Sequence, residues 1–341
     1  MQRRTFNLLL AGAAVSAAAA GLAVATGDRA VSRASSEQRA IPDLADKLGE
    51  LTRMRISRGP MTINFAATGG GSWTIVEKGG YPAAEGRVRK LLVGLAELEL
   101  VEPKTGRAEL LPRLDLDDPA NGKSTLVALQ DRTGAQIGEL IIGRRRPSTL
   151  GANNPGGDAG VYVRKANTDQ AWLARGALDL SGDLLSWVDR RIIDLPAARI
   201  ASIVLTAPDG TAVVLTRASP DGAFTIEGSP TGPDPALAAA LAGALAALDL
   251  DDVKPQAELP IPADGAATAA FTSFDGLIVG ARLSPPGASD WLALDATGSG
   301  EQQAGATTLN DKLSRWSYRI PAARAKLLRA TLADLQQPHG S

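Results

Sequence analysis

Alternating apolar and polar positions predict strands near the start of the chain. The alternation runs through Met54–Ser57, Met61–Phe65 and Ser72–Val76, and glycine-rich turns separate these stretches. The period then becomes helical, with apolar side chains at Val88, Leu91, Leu92, Leu95 and Leu98. We therefore predict a small antiparallel sheet with a helix covering one face.

The second half of the chain repeats this succession of patterns. Strands are predicted at Ile200–Leu205, Ala212–Thr216 and Ala223–Glu227. A helix then carries Leu237, Leu241, Leu245 and Leu248 on one side. Asp234 and Pro235 mark its start, because an aspartate caps free N–H groups and proline suits the first helical position.

Each half continues with a hairpin, a Trp-Leu strand and a closing tryptophan segment. The Trp-Leu strands contain Trp172 and Trp291. The closing segments share a Leu-Leu-Trp spacing followed by Pro-Ala-Ala-Arg, at Leu180, Leu184 and Trp187 and at Leu309, Leu313 and Trp316. That spacing places the three side chains on one helical face, and a buried structural role outweighs ligand stacking.

The shared order of features predicts an α+β protein made of two tandem duplicated modules. Each module is expected to hold a small, mainly antiparallel sheet, a covering helix and a Trp-bearing closing helix. The predicted organisation is a signal segment or anchor at 1–27, a linker at 28–44, modules at 45–196 and 197–335, and a tail at 336–341.

The N-terminal segment has the features of an export signal. Arg3 and Arg4 precede an uncharged stretch from Thr5 to Gly27, and Ala23-Val24-Ala25 supplies the small residues that a signal peptidase accepts. Arg-Arg-Thr-Phe also fits a twin-arginine signal. The same stretch is long enough to cross a bilayer, so an uncut anchor remains an alternative. The expected location is the periplasm, free or anchored to the inner membrane.

Composition excludes several kinds of chemistry. The chain has 341 residues, a net charge of −1, no cysteine and one histidine, His339, close to its end. Disulfides, cysteine nucleophiles and Cys/His zinc sites are therefore excluded, and an imidazole base at a frayed terminus is disfavoured. The balanced charge gives no reason to expect nucleic-acid binding.

Two kinds of charged cluster remain as candidate sites. Arg144, Arg145 and Arg146 precede a long Gly- and Asn-rich loop, where they could bind an anionic ligand, a lipid head group or an acidic partner, or simply be solvated. The sequence Leu-Asp-Leu-Asp-Asp occurs at 114–118 and at 248–252. Neither copy has the spacing of an EF-hand, so no metal site is expected.

Several segments together resemble the bacterial family called domain of unknown function 4340. They are Trp73-Thr74-Ile75, Gly80–Ala83, Leu98–Lys104, Gly160–Val163, Trp187–Asp194 and Trp316–Pro321. The resemblance implies a protein exported to or tethered at the cell envelope, and some relatives resemble auxiliary parts of ABC-type transport systems. It supplies no catalytic residue.

The functional hypothesis is a non-enzymatic envelope binding or scaffold protein with no cofactor. Its expected partner is an envelope protein, such as an ABC transporter subunit, and the N-terminal segment could add membrane association. The alternative is a periplasmic hydrolase that uses carboxylates or a serine with a lysine.

Overall fold

The computed structural model describes residues 38–146, 160–287 and 290–336. The signal segment, His339 and the loop after Arg146 lie outside them. The chain divides into two compact units, Met1–Thr74 with Glu85–Leu184, and Ile75–Ala84 with Leu185–Ser341. The units differ from the sequence modules at 75–84 and 185–196, which both belong to the second unit.

The secondary structure mixes strands and helices. The strands are β1 (Leu51–Arg58), β2 (Met61–Gly69), β3 (Ser72–Ile75), β4 (Tyr81–Pro82), β5 (Glu99–Pro103), β6 (Thr125–Asp131), β7 (Gln136–Arg146), β8 (Gly160–Lys165), β9 (Ala171–Arg175), β10 (Arg191–Ile193), β11 (Ile200–Thr206), β12 (Ala212–Thr216), β13 (Thr225–Ile226), β14 (Leu248–Asp249), β15 (Asp252–Pro255), β16 (Ala267–Ser273), β17 (Leu277–Leu283), β18 (Trp291–Gly298) and β19 (Trp316–Arg319). The α-helices are α1 (Leu44–Lys47), α2 (Glu85–Glu97), α3 (Pro235–Ala242), α4 (Gln303–Leu313), α5 (Ala322–Leu328) and α6 (Leu332–Gln336). The α+β class is confirmed.

The sheets of the two units have the same strand order. Without the two-residue strand β4, whose residues belong to the second unit, the first runs β3-β2-β1-β6-β7-β8-β9-β5, and the second runs β13-β12-β11-β16-β17-β18-β19-β15. If these eight strands of each sheet are numbered along the chain, both orders read 3-2-1-5-6-7-8-4. Strand β10 pairs with β14 in a separate two-stranded sheet.

This order corrects one correspondence expected from the sequence. Trp172 lies in β9, the eighth strand of its sheet along the chain, whereas Trp291 begins β18, the seventh of its own. The two Trp-Leu pairs therefore occupy different strands. Two identical residues are too few to show which strands of the two sheets correspond, because any buried strand favours large apolar residues.

Most of the predicted elements are present, but both helices end before the last leucine of their patterns, and α2 ends at Glu97, before Leu98. In α2 the side chains of Val88, Leu91 and Leu95 are buried as expected. Helix α3 ends at Ala242, before Gly243. Its predicted cap is confirmed, since an Asp234 side-chain oxygen accepts a hydrogen bond from the Leu237 N–H at 2.8 Å.

The predicted closing helices are partly wrong. Leu184–Trp187 forms only a 3-10 helix, and Trp316 begins strand β19 after helix α4 has ended at Leu313. Strand β19 pairs on one side with β15 and on the other with β18, and Trp316 lies opposite Pro255 of β15, so this segment is part of the sheet and does not continue the helix. The expectation of burial is confirmed, since Trp187 is 0% exposed and Trp316 is 6% exposed.

Part of the segment assigned to a linker belongs to the core of the first unit. Ala40, Ile41 and Leu44 are buried. The backbone N–H of Ala40 donates to the Leu98 carbonyl at 2.8 Å. Within the described residues, no helix has both the length and the apolar character needed to span a membrane.

Candidate functional site

The predicted arginine cluster forms the end of strand β7 and does not follow the strand. Arg145 pairs with Val161 of β8 and Arg146 pairs with Gly160. The ladder is irregular just before them, between Ile142 and Arg145. Such an irregularity re-aims the side chains that follow it. Strand pairing therefore fixes the backbone of Arg145 and Arg146, whereas Arg144 lies within the irregular part of the ladder.

Gly143 allows this end of β7 to pass close to another backbone segment. A Cβ atom at Gly143 would lie 2.2 Å from the Leu114 carbonyl oxygen and 2.8 Å from that of Asp115. No side chain fits at those distances. Close packing of these two backbone segments therefore requires glycine at position 143.

Two of the predicted arginines have identifiable partners within the first unit. The guanidinium of Arg145 donates to the Leu178 carbonyl and lies 3.8 Å from the Asp179 carboxylate. The guanidinium carbon of Arg144 lies 5.8 Å from the centre of the Tyr162 ring, within cation–π range. Arg144 and Arg145 are nevertheless exposed, so both guanidinium groups face solvent.

Two further arginines, which sequence reasoning missed, converge on the same segment. Arg58 at the end of β1 donates to the Leu180 carbonyl at 3.1 Å. Arg87 of α2 donates to the Ser181 carbonyl and lies 3.7 Å from the Asp179 carboxylate. Residues 178–181 and the guanidinium groups of Arg58, Arg87 and Arg145 form what we call the arginine clasp.

Asp179 is the shared carboxylate of the arginine clasp. Hydrogen bonds from the Ser181 hydroxyl and N–H, with a smaller contribution from Arg87 and Arg145, hold the pKa of Asp179 below its usual value. The carboxylate is therefore ionised at neutral pH. It is 45% exposed and its arginine contacts are long, so these are weak surface ion pairs. An incoming anion could compete for the same guanidinium groups.

The second acidic sequence, 248–252, is neutralised within its own unit. Asp249 accepts from Arg191 at 2.6 Å, and Asp251 lies 3.5 Å from Arg190. Asp252 forms an ion pair with Lys78 at 2.5 Å. Each of these three carboxylates forms an ion pair with a basic residue of the same unit. Their role is therefore structural.

The Lys78–Asp252 pair is expected to stabilise the second unit in a pH-dependent way. Burial opposes ionisation of Asp252, but hydrogen bonds from Lys78 and from the Val253 N–H, with the charges of Lys78 and Arg319, keep its pKa below the ordinary value. Such a pair stabilises the fold above the unfolded pKa and is lost as pH falls through the folded pKa. We predict that Lys78→Met lowers the free energy of unfolding by about 1–2 kcal/mol at neutral pH.

Urea denaturation as a function of pH measures this effect. The difference between wild type and Lys78→Met should shrink as the solution is acidified, because Asp252 becomes protonated in both chains. Lys312→Met, at an exposed position of α4, is the matched control and should change little. A difference that stays constant with pH would contradict the assigned role of Asp252.

The first acidic sequence, 114–118, does not gather its carboxylates around one point. Asp118 accepts from the Ala120 N–H at 3.0 Å. Asp115 has a left-handed backbone at the end of a 3-10 helix. In the described ranges of the chain, no group of three or more His, Cys, Asp or Glu side chains is placed to hold a metal ion.

Aromatic side chains of the second unit form a buried cluster around Tyr81. Its ring lies edge-on to Trp316, with centroids 5.0 Å apart, and to Tyr318 at 6.3 Å. Burial raises the pKa of both tyrosines well above the usual value, so both phenols stay neutral. The cluster is hydrophobic core with the edge-to-face geometry that aromatic pairs prefer.

Comparison with known proteins yields one match. No curated protein and no solved structure matches the chain. The family model described as domain of unknown function (DUF4340) matches residues 73–264, which is more than half of the 341 residues. This match includes the predicted arginines, Asp179 and Trp187, and it agrees with the resemblance seen in the sequence. The chain belongs to the DUF4340 family.

Proposed function

We propose that this chain is an exported cell-envelope protein that binds a protein partner through the arginine clasp and the neighbouring Arg144 and Arg146. The partner class that fits the family resemblance is a subunit of an ABC-type transport system. The protein would act as an auxiliary or scaffold component on the periplasmic side. The twin-arginine-like segment at 1–27 supports export.

The observation that carries this proposal is that the exposed Arg145 has only a long ion pair with Asp179, a carboxylate that it shares with the less exposed Arg87. Arg87 and Arg145 share one carboxylate at 3.7 and 3.8 Å, and the Arg145 side chain is 61% exposed. Arginine presents several N–H donors in a planar fork, so it can hold its carbonyl acceptor and still bind an acidic side chain. Charged residues at the rim of an interface orient the incoming partner and raise the association rate constant.

We further propose that the two sheets derive from a duplicated module, with copies at 45–196 and 197–335. The shared strand order supports this origin, as do the helices that follow the third strand of each sheet. In both Pro-Ala-Ala-Arg repeats the proline precedes a helix with similar angles, φ −59° and ψ 139° at Pro196 and φ −56° and ψ 137° at Pro321, although the helix is 3-10 in the first copy and α in the second. Duplicated scaffolds commonly differ in loops, where binding is acquired.

Site-specific crosslinking in intact cells tests the binding proposal. The chain contains no cysteine, so Ser181→Cys places a single thiol within the arginine clasp and keeps the backbone carbonyl to which Arg87 donates. A membrane-impermeant thiol-reactive crosslinker should join this thiol to an envelope protein that mass spectrometry identifies. Replacing Arg144, Arg145 and Arg146 by glutamine should reduce the product about tenfold, because charge-assisted hydrogen bonds are lost.

Thr133→Cys is the matched control in the same unit, because Thr133 is exposed in the turn just before β7. It should not capture the same protein. Absence of any reaction with the impermeant reagent would contradict an envelope location. Capture of lipid alone, or equal capture by both thiols, would contradict a protein interface at the arginines.

A further inference from the structure

The second unit contains a small pocket between the segment that follows β12 and helix α3. The pocket has a volume of about 210 Å³, less than the roughly 300–1,000 Å³ of a site for a drug-sized ligand. Short apolar side chains form most of its lining, among them Ala223, Pro233, Pro235, Ala239 and Ala242. A pocket of this size and lining accommodates a compact apolar group of a few carbon atoms.

Arg217 is the only charged residue among the described residues that line the pocket. Its guanidinium group contacts two other lining residues. The guanidinium carbon lies 4.7 Å from the centre of the Phe224 ring, and the Nη2 atom donates a hydrogen bond to the Ala197 carbonyl. These two contacts place the positive charge at the wall of the pocket.

The charge of Arg217 is not balanced by an ion pair. Its Nε atom donates to the Ile200 carbonyl at 2.7 Å and its Nη1 atom to the Pro220 carbonyl at 2.6 Å, so all three acceptors are neutral carbonyls. No Asp or Glu of the described ranges forms an ion pair with it, and Asp221 acts only through its charge at longer range. Burial is the larger effect and lowers the pKa of Arg217, so an anion in the pocket would favour the charged form.

The guanidinium group also has hydrogen-bond donors to spare. Arginine carries five N–H groups, and three of those of Arg217 have carbonyl acceptors. One N–H on each terminal nitrogen is left without an acceptor among the described residues. A single positive charge in an apolar lining matches a monoanion better than a phosphate group, whose charge approaches −2 at neutral pH.

We propose that this pocket binds a carboxylate that carries a compact apolar group. The carboxylate accepts charge-assisted hydrogen bonds from the terminal nitrogens of Arg217, and the apolar group packs against Phe224 and the alanine and proline side chains. A free short-chain acid and the carboxyl-terminal residue of a peptide present this same chemistry. The site lies in the second unit and does not depend on the arginine clasp.

Fluorine NMR of the full chain labelled with 4-fluorophenylalanine tests the proposal, because the chain has only five phenylalanines. Titration with isovalerate should shift the Phe224 resonance saturably, whereas Phe65, buried in the first unit, should not respond. Isovaleramide has the same shape without the charge and should bind at least about tenfold more weakly. Acetyl-glycyl-valine adds a peptide to the same acid. Tighter binding of this peptide than of isovalerate identifies a carboxyl terminus as the ligand, and weaker binding identifies a free acid.

A matched pair of substitutions on α3 tests the position of the ligand. Ala239 and Ala240 are both exposed, but only Ala239 lines the pocket. Ala239→Leu fills the pocket and should weaken isovalerate binding at least about tenfold, whereas Ala240→Leu should change it less than about twofold. Leucine is a good helix former, so both variants retain the fold.

Arg217→Gln tests the role of the charge. In this variant the preference for isovalerate over isovaleramide should fall to about twofold or less, a ratio that a merely structural role of Arg217 would not change. If Arg217→Gln does not fold, the two leucine variants decide the question. Absence of a saturable Phe224 shift, equal binding of acid and amide by the wild type, a folded Arg217→Gln that keeps the preference, or equal effects of the two leucine variants would overturn the proposal.

Discussion

Replacing Trp187 by alanine is expected to lower the free energy of unfolding by about 3–5 kcal/mol. Trp187 is fully buried, and its backbone carbonyl accepts from the Ala84 N–H at 2.7 Å. Both groups belong to the second unit. Truncation removes the largest of the fully buried side chains and leaves a cavity beside a segment that backbone hydrogen bonds hold in place. Urea denaturation followed by circular dichroism measures the change.

Trp172→Ala is the control for this prediction. Trp172 is only partly buried on β9, so its loss should cost clearly less. If Trp187→Ala were as stable as the wild type, the indole would not be a core group. A ligand-stacking role would then have to be considered for the closing segment.

Gly79→Ala is expected to have the second largest effect, a loss of roughly 2–5 kcal/mol from left-handed strain and steric overlap together. Gly79 has φ +65°, and a Cβ atom there would lie 2.3 Å from Cγ of Pro255. Pro255 is held in β15 by pairing with β19, so it cannot retreat freely. Thermal and urea denaturation of the purified variant measure the loss.

The adjacent Gly80 separates the two contributions. Gly80 has φ +85°, but a Cβ atom there would meet nothing within 4 Å. Gly80→Ala should therefore lower the free energy of unfolding by about 1–2 kcal/mol, from left-handed backbone strain without steric overlap. Equal losses at the two positions would show that contact with Pro255 does not limit the segment 75–84.

Hydrophobic periodicity predicted most of the elements, because burial on one face of a strand or helix leaves a direct trace in the sequence. It gave the wrong element for Trp316. The helical spacing from Leu309 continues to this residue, yet the chain turns after Leu313 and Trp316 joins a central strand. Strand pairing depends on distant partners in β15 and β18, which a local pattern does not contain.

The candidate site was predicted only in part for the same reason. The run of three arginines is visible as a sequence motif. Arg58 and Arg87 are 29 positions apart in the sequence and come together because the end of β1 and the start of α2 both lie near residues 178–181.

The shared strand order has a consequence for how the chain acquires its structure. Strand β5 pairs with β9 and strand β15 pairs with β19, so in each sheet an earlier strand gains this partner only when the last strand of the sheet has formed. Contacts between such distant segments form slowly, because a long loop must close first. Neither sheet is complete until its final strand has left the ribosome. A chain truncated before Trp316 would present β15 and β18 as open edges, which are templates for aggregation.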